Sequence, residues 1–206
     1  MQHKRSPQPE GISSAASQIQ QEVAATTHTT TSTIPWCQRL IDSPRYRTVS
    51  FETRNPKSDS YEHDFFAKTL ATQTTVETCI AFARKGDHRG SVPRDHDYDD
   101  VAAIFQLGTA LTGHKHILHG GLAAVFLDEI MGLLLDQSSV IRKTFFTASM
   151  AIQYRKPVPI PVIVLCRALL VERSGRKVKV RSMMEDGQGT VFIEANALYI
   201  KAAAKL

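Results

Sequence analysis

The stretch 120–135, Gly-Gly-Leu-Ala-Ala-Val-Phe-Leu-Asp-Glu-Ile-Met-Gly-Leu-Leu-Leu, constrains this chain more than any other. Its length and its Ala and Leu content predict a helix. That helix is apolar on nearly every side, through Leu122, Val125, Phe126, Leu127, Ile130, Met131, Leu133, Leu134 and Leu135. A helix that is apolar all round has to be enclosed by other structure. The enclosing material reads as strand: segments 76–82 and 101–107 before the helix, then 145–154, 162–173, 177–185 and 190–201 after it. In 145–154 the alternation puts Phe146, Ala148, Met150, Ile152 and Tyr154 on one face and Thr147, Ser149, Gln153 and Arg155 on the other. Ser174-Gly175 and Gly187-Gln188-Gly189 read as hairpin turns. Short connections predict that the four strands after the helix are successive antiparallel neighbours. A short helix is expected over 61–70. The expected class is α+β, a long antiparallel β-sheet wrapped around one central apolar helix.

The 206 residues suit one domain with a tail. Residues 1–35 are rich in Ser, Thr, Gln and Ala, with little apolar periodicity, and are expected to be disordered. The division expected is therefore a tail and lead-in over 1–48 and a folded domain over 49–206. The tail has no apolar core of a secretory signal, and one Arg with two Glu makes a poor mitochondrial presequence. The expected location is cytoplasmic, with mitochondria as the alternative. No uncharged apolar run approaches the ~18 residues of a membrane span. A net charge of +5 is too diffuse to imply nucleic acid. Cys37, Cys79 and Cys166 fit neither a disulfide framework nor a zinc spacing, and Cys79 and Cys166, in apolar runs, read as buried thiols of a reducing compartment.

Only six charged residues occur in 101–152, so a charge kept there needs a reason. Asp128 is the first acid of the apolar helix, and His119-Gly120-Gly121 opens it. Two glycines at a helix start leave backbone N–H groups approachable at the positive end of the helix dipole, a site suited to polarising a carbonyl. Asp128 shares a face with Gly121 and would be a general base or nucleophile. The same residues equally fit a turn and a solvated carboxylate beside Glu129. Seven residues of helix span about 10 Å, while a base and an oxyanion donor acting on one carbonyl must converge to within ~3–4 Å. If the pair is catalytic, Asp128 of one protomer has to work with Gly120 and Gly121 of another.

Other constellations carry less. His114, His116 and His119 have partial metal spacing but lack the glutamate of a cupin set, so they read as surface or hydrogen-bonding histidines. Asp95, Asp97 and Asp99 begin a calcium-loop pattern, but Asp100 stands where its glycine is required. Thr147 suits orienting a water, or is an ordinary strand threonine. Arg155 and Lys156 suit binding phosphates, or simply end a strand before Pro157. There is no G-x-S-x-G elbow and no P-loop. No cofactor and no metal are expected.

Taken together, the run from His119-Gly120-Gly121 to Asp128, the later Thr147-Ala148 and the Tyr154-Arg155-Lys156-Pro157 segment resemble the hotdog-fold acyl-CoA thioesterases. The similarity is to the PaaI-like and thioesterase-superfamily-member proteins and covers residues 60–203. It implies a hotdog fold and hydrolysis of acyl-CoA thioesters. Asp128 would activate water or attack the thioester, and the Gly120 or Gly121 N–H would polarise its carbonyl. His119 would help position the substrate and Thr147 the water, with Arg155 and Lys156 holding CoA phosphates. It also implies a homodimer or dimer of dimers with sites at the subunit interface. The rival from another class is a non-catalytic hotdog protein that binds acyl-CoA or a protein partner. A hotdog dehydratase is disfavoured, because its His-Phe-Pro-like pattern is missing. The long lead-in and the 136–146 connection depart from the family and bear on the acyl pocket.

Overall fold

The computed structural model describes residues 33–84, 100–137 and 144–202. In chain order these form α1 (Pro35–Ile41), β1 (Tyr46–Val49), β2 (Val76–Arg84), β3 (Asp100–Leu107), β4 (Thr112–His114), β5 (Ile117–Leu118), α2 (Gly120–Gln137), β6 (Phe145–Tyr154), β7 (Val162–Ser174), β8 (Lys177–Glu185) and β9 (Val191–Lys201). The short helix expected over 61–70 is a single π-type turn over Phe65–Thr69. Seven strands make one sheet in the order β1-β2-β3-β7-β8-β9-β6, every pair antiparallel.

The sheet curls around α2. Phe126, Leu127, Ile130, Met131, Leu133 and Leu134 of that helix are buried against Val101, Ala103 and Phe105 of β3, Val164 and Cys166 of β7, Val178 and Val180 of β8, and Ala195 and Ala197 of β9. Each large side chain so enclosed contributes about 1.5–3 kcal/mol relative to exposure, which sets the helix in place. This is the hotdog arrangement of an α+β chain.

Two expectations are corrected. β6 and β7 are consecutive but not neighbours: β6 pairs only with β9, at the edge, and β7 pairs with β3 and β8. Their connection is no hairpin, because it runs beside the β4–β5 hairpin and the helix start. Val158 and Ile160 are buried, the Leu118 N–H donates to the Val158 carbonyl (2.9 Å) and the Ile160 N–H donates to the His116 carbonyl (3.0 Å).

The second correction concerns residues 33–48, expected within the tail and lead-in. They fold. Pro35 sits in the first turn of α1, where its missing N–H costs nothing. Trp36, Cys37 and Leu40 then pack on the outer face of the sheet against Phe82, Ala102, Ile104 and Leu165, and β1 pairs with β2. Burial drives the Cys37 thiol up to about 11. Cys166 is likewise a buried, inert thiol and Cys79 is half-buried. Residues 1–32 of the expected tail lie outside the described residues, as do Asp95, Asp97 and Asp99.

Candidate active site

Asp128 sits half-buried, eight residues into α2, on the side of the helix that meets β6 and β9. Its Oδ1 accepts two hydroxyls: Thr147 Oγ1 from β6 at 2.9 Å and the Tyr199 phenol from β9 at 2.6 Å. The phenol also lies 3.3 Å from the Asp128 main-chain oxygen. Thr147 and Tyr199 are direct cross-strand partners, which is why both reach one oxygen. Thr147 was read on the face opposite Met150, Ile152 and Tyr154. A β-bulge at Ala148 changes that: Thr147 pairs with Tyr199, and Ser149 with the next residue back, Leu198. The extra residue flips the alternation, so Phe145 and Thr147 precede the bulge on the helix side, and Met150 and Ile152 follow it there. Phe146 is left on the outer face, 62% exposed.

Glu129, the next residue, points elsewhere. Its carboxylate accepts the Thr53 hydroxyl at 2.5 Å, and burial, reinforced by the nearby Asp128 charge, holds its pKa above the ordinary range. The Arg54 guanidinium beside that segment donates to the main-chain oxygens of Phe66 (2.9 Å) and Val76 (3.2 Å) and stacks on Phe66. It ties the lead-in to the core.

The helix start is arranged differently from its sequence reading. The Gly121 N–H is not open: it donates to His119 Nδ1 at 3.0 Å, so the histidine caps the helix. A neutral His119 then carries its hydrogen on Nε2. The Gly120 N–H occupies the first helical position, where the helix offers no carbonyl to accept it. The Gly120 carbonyl accepts the Tyr154 hydroxyl at 2.9 Å, and a Cβ added at Gly120 would have the Tyr154 side chain as its nearest neighbour, 3.5 Å away. His119 is backed by the β4–β5 hairpin: a Cβ at Gly113 would stand 2.8 Å from its Cα. Among the described residues His114, His116 and His119 do not converge into a metal-binding group.

A cleft of about 190 Å³ opens beside Gly120, lined by Leu118, Tyr154, Arg155, Lys156, Pro157 and Val158. Arg155 shares Glu194 with Arg181, each guanidinium 3.1 Å from its Oε2, so part of its charge is already balanced. The structure therefore brings together Asp128, Thr147 and Tyr199 at one place, and Gly120, His119, Tyr154, Arg155 and Lys156 at another. Eight helical residues, about 12 Å, separate the two groups within one chain. Tyr154 and Tyr199 were missed as site residues. Nothing in the spacing singles out Tyr199, whereas Tyr154 was placed only as part of a strand end.

The fold is that of a hotdog protein, with Asp128 and the cleft beside Gly120 as its two candidate site groups. Residues 115–193 match the family described as Thioesterase superfamily. The bovine acyl-coenzyme A thioesterase THEM4 is 31% identical over 174 residues, covering 80% of this chain and 69% of that protein. The mouse protein of the same name is 32% identical over 102 residues, 49% of this chain. The chain spans less than half of the rat and mouse relatives it matches, 43% of each. Among solved structures, the thioesterase superfamily protein RHA08564 superposes with a TM-score of 0.51 at 14% identity, covering 94% of this chain and 82% of its own. The chain belongs to the thioesterase superfamily. Among the described residues no helix is long and apolar enough to cross a membrane.

Proposed function

We propose that this protein hydrolyses acyl-CoA thioesters to the free acid and CoA, at two equivalent sites shared between the protomers of a homodimer. The observation that carries the reading is the Asp128 carboxylate, held by two hydroxyls on a largely apolar helix in a chain of this superfamily. Asp128 takes a proton from a water as that water attacks the thioester carbon, or attacks the carbon itself and is released by water. In either route the carbonyl oxygen gains negative charge, the C–S bond breaks and the CoA thiolate leaves and is protonated. The first-position N–H at Gly120 suits that developing charge, whereas the Gly121 N–H is engaged by His119. Thr147 donates to Asp128 and keeps lone pairs with which to accept a water hydrogen. Lys156 and Arg155 stand beside the Gly120 cleft, where the phosphates of CoA would lie.

The edge strand β6 supports the shared site. Thr147 near one end touches Asp128, and Tyr154 at the other touches Gly120. Its free edge is exposed along most of its length. Two β6 strands paired antiparallel about a two-fold axis between Met150 and Ala151 set Thr147 of each against Tyr154 of the other. Asp128 then meets the partner's Gly120, closing the 12 Å gap that one helix leaves. The pairing also covers an edge that would otherwise invite aggregation.

The test is thiol release from acyl-CoAs of graded chain length. Hydrolysis by the wild type, lost in Asp128→Asn, supports the assignment. Tight acyl-CoA binding with no thiol released would favour the non-catalytic binder instead.

A further inference from the structure

Resting on that reading of Asp128, we propose that Tyr199 is a positioning residue of the hydrolytic site: together with Thr147 it pins Oδ1 of Asp128 and leaves Oδ2 as the oxygen presented to water or thioester. The argument starts from the lone pairs. A carboxylate oxygen offers two acceptor positions in its plane. The Tyr199 and Thr147 hydroxyls, at 2.6 and 2.9 Å, take both on Oδ1. Among the described residues no side chain donates to Oδ2. The carboxylate is thus fixed in rotation, with one oxygen held and the other turned away from β6 and β9.

Tyr199 is suited to this in a way a packing residue is not. Its ring is 4% exposed and pairs across the sheet with Thr147 on one side and Val178 on the other. The ring alone accounts for the packing. The hydroxyl is the part that needs explaining, because burying one costs free energy unless it is bonded. Burial, and the Asp128 carboxylate it donates to, push the phenol well above its ordinary pKa, so it stays a neutral donor wherever the carboxylate is charged.

A donor to the ionised form of an acid favours that form. Removing either hydroxyl therefore removes a donor to the charged form that the proposed chemistry uses. The groups that face Asp128 are these two hydroxyls, from β9 and β6, and Glu129 on its own helix. Glu129 is in turn neighboured by Thr53, His63 and Asp136. Glu129 works against the hydroxyls, and its carboxylate raises the cost of a second charge beside it.

The experiment measures kcat and KM against pH for wild type, Tyr199→Phe, Thr147→Val and Asp128→Asn, on whichever acyl-CoA of a graded set the wild type turns over fastest. Tyr199→Phe is expected to lower kcat about tenfold or more, the loss of one hydrogen bond to a charged group. KM should stay within about twofold, since the interaction serves the reacting group rather than substrate binding. The acid limb of the kcat profile should move to higher pH in Tyr199→Phe, and in the same direction in Thr147→Val. A Tyr199→Phe protein with a lower Tm but wild-type kcat and acid limb would make the tyrosine a packing residue and overturn the inference. If Tyr199→Phe does not fold, Thr147→Val on the exposed strand decides, and an unmoved acid limb there overturns it equally. Asp128→Asn separates the two levels. Wild-type turnover in Asp128→Asn, or no turnover by the wild type, sinks the functional reading and this inference with it. A silent Asp128→Asn beside unmoved limbs in the hydroxyl variants sinks only the inference.

Discussion

At the scale of single residues, two adjacent carboxylates are sent to different places. Asp128 turns to the hydroxyls of Thr147 and Tyr199, and Glu129 turns to Thr53. Asp128→Asn keeps an Oδ1 that accepts both hydroxyls, so it should lower kcat by about 10²–10⁴ as the proton acceptor is lost, with little change in Tm. Steady-state thiol release and a melting curve check both parts. Glu129 should instead affect stability. Burial raises its pKa in the folded state, so the native protein binds more protons than the unfolded chain. Stability is then lost as pH rises from the ordinary carboxylate range through the raised value. Glu129→Gln removes that loss: its Tm should exceed the wild type's at pH 7 by up to a few degrees, and the gap should close toward pH 4. A gap that widens on acidification would contradict the sign. Asp128 and the Gly-Gly turn were legible because the first acid of an apolar helix and a glycine pair are local patterns. Tyr199 was not, because only strand register makes it Thr147's partner.

At the scale of elements, the lead-in and the strand after the helix depart most from their sequence readings. The polar composition before residue 35 masked a helix signal that was present: Pro35 at a first turn, then Trp36, Cys37 and Leu40 at helical spacing. Deleting residues 1–32 is expected to leave Tm unchanged, on their composition. Deletion through residue 44 bares Phe82, Ala102, Ile104 and Leu165 and should lower Tm by several degrees, since losing a buried Trp alone costs about 3–5 kcal/mol. The β8–β9 turn is part of the same contact. Gly187 has φ +71°, and a Cβ there would fall 2.3 Å from Trp36 Cδ2. Gly187→Ala should therefore displace the chain's one tryptophan, lower Tm, and shift Trp36 emission toward that of an exposed indole. Unchanged emission would mean the ring does not rest on that turn. The boundaries of β6 and β8 were legible from alternation, yet a period of two cannot reveal a bulge, so the face of Thr147 was read wrongly.

At the scale of the whole molecule, Asp128 and Gly120 stand about 12 Å apart along one helix, and the proposed two-fold pairing of β6 would bring Asp128 of one chain to Gly120 of another. The apolar helix and flanking strands made the wrapped sheet legible from sequence. The order of the strands was not, since the 155–161 connection carries the chain past β9 and β8 to β7, bonding to His116 and Leu118 on the way, rather than turning back on itself. The shared site is the central claim, and complementation tests it most directly. Asp128→Asn protomers are unfolded and refolded in equal amounts with Gly120→Leu protomers. A Cβ at Gly120 has Tyr154 atoms as its nearest neighbours at 3.5–3.6 Å, an ordinary contact, and a melting curve checks that the leucine variant folds. Each parent alone should be nearly inactive. Random pairing makes about half the dimers mixed, each with one intact and one doubly damaged site, so activity should return to about a quarter of wild type. Heterodimers seen by native mass measurement, with no activity above the parents, would mean that each site is built within a single chain.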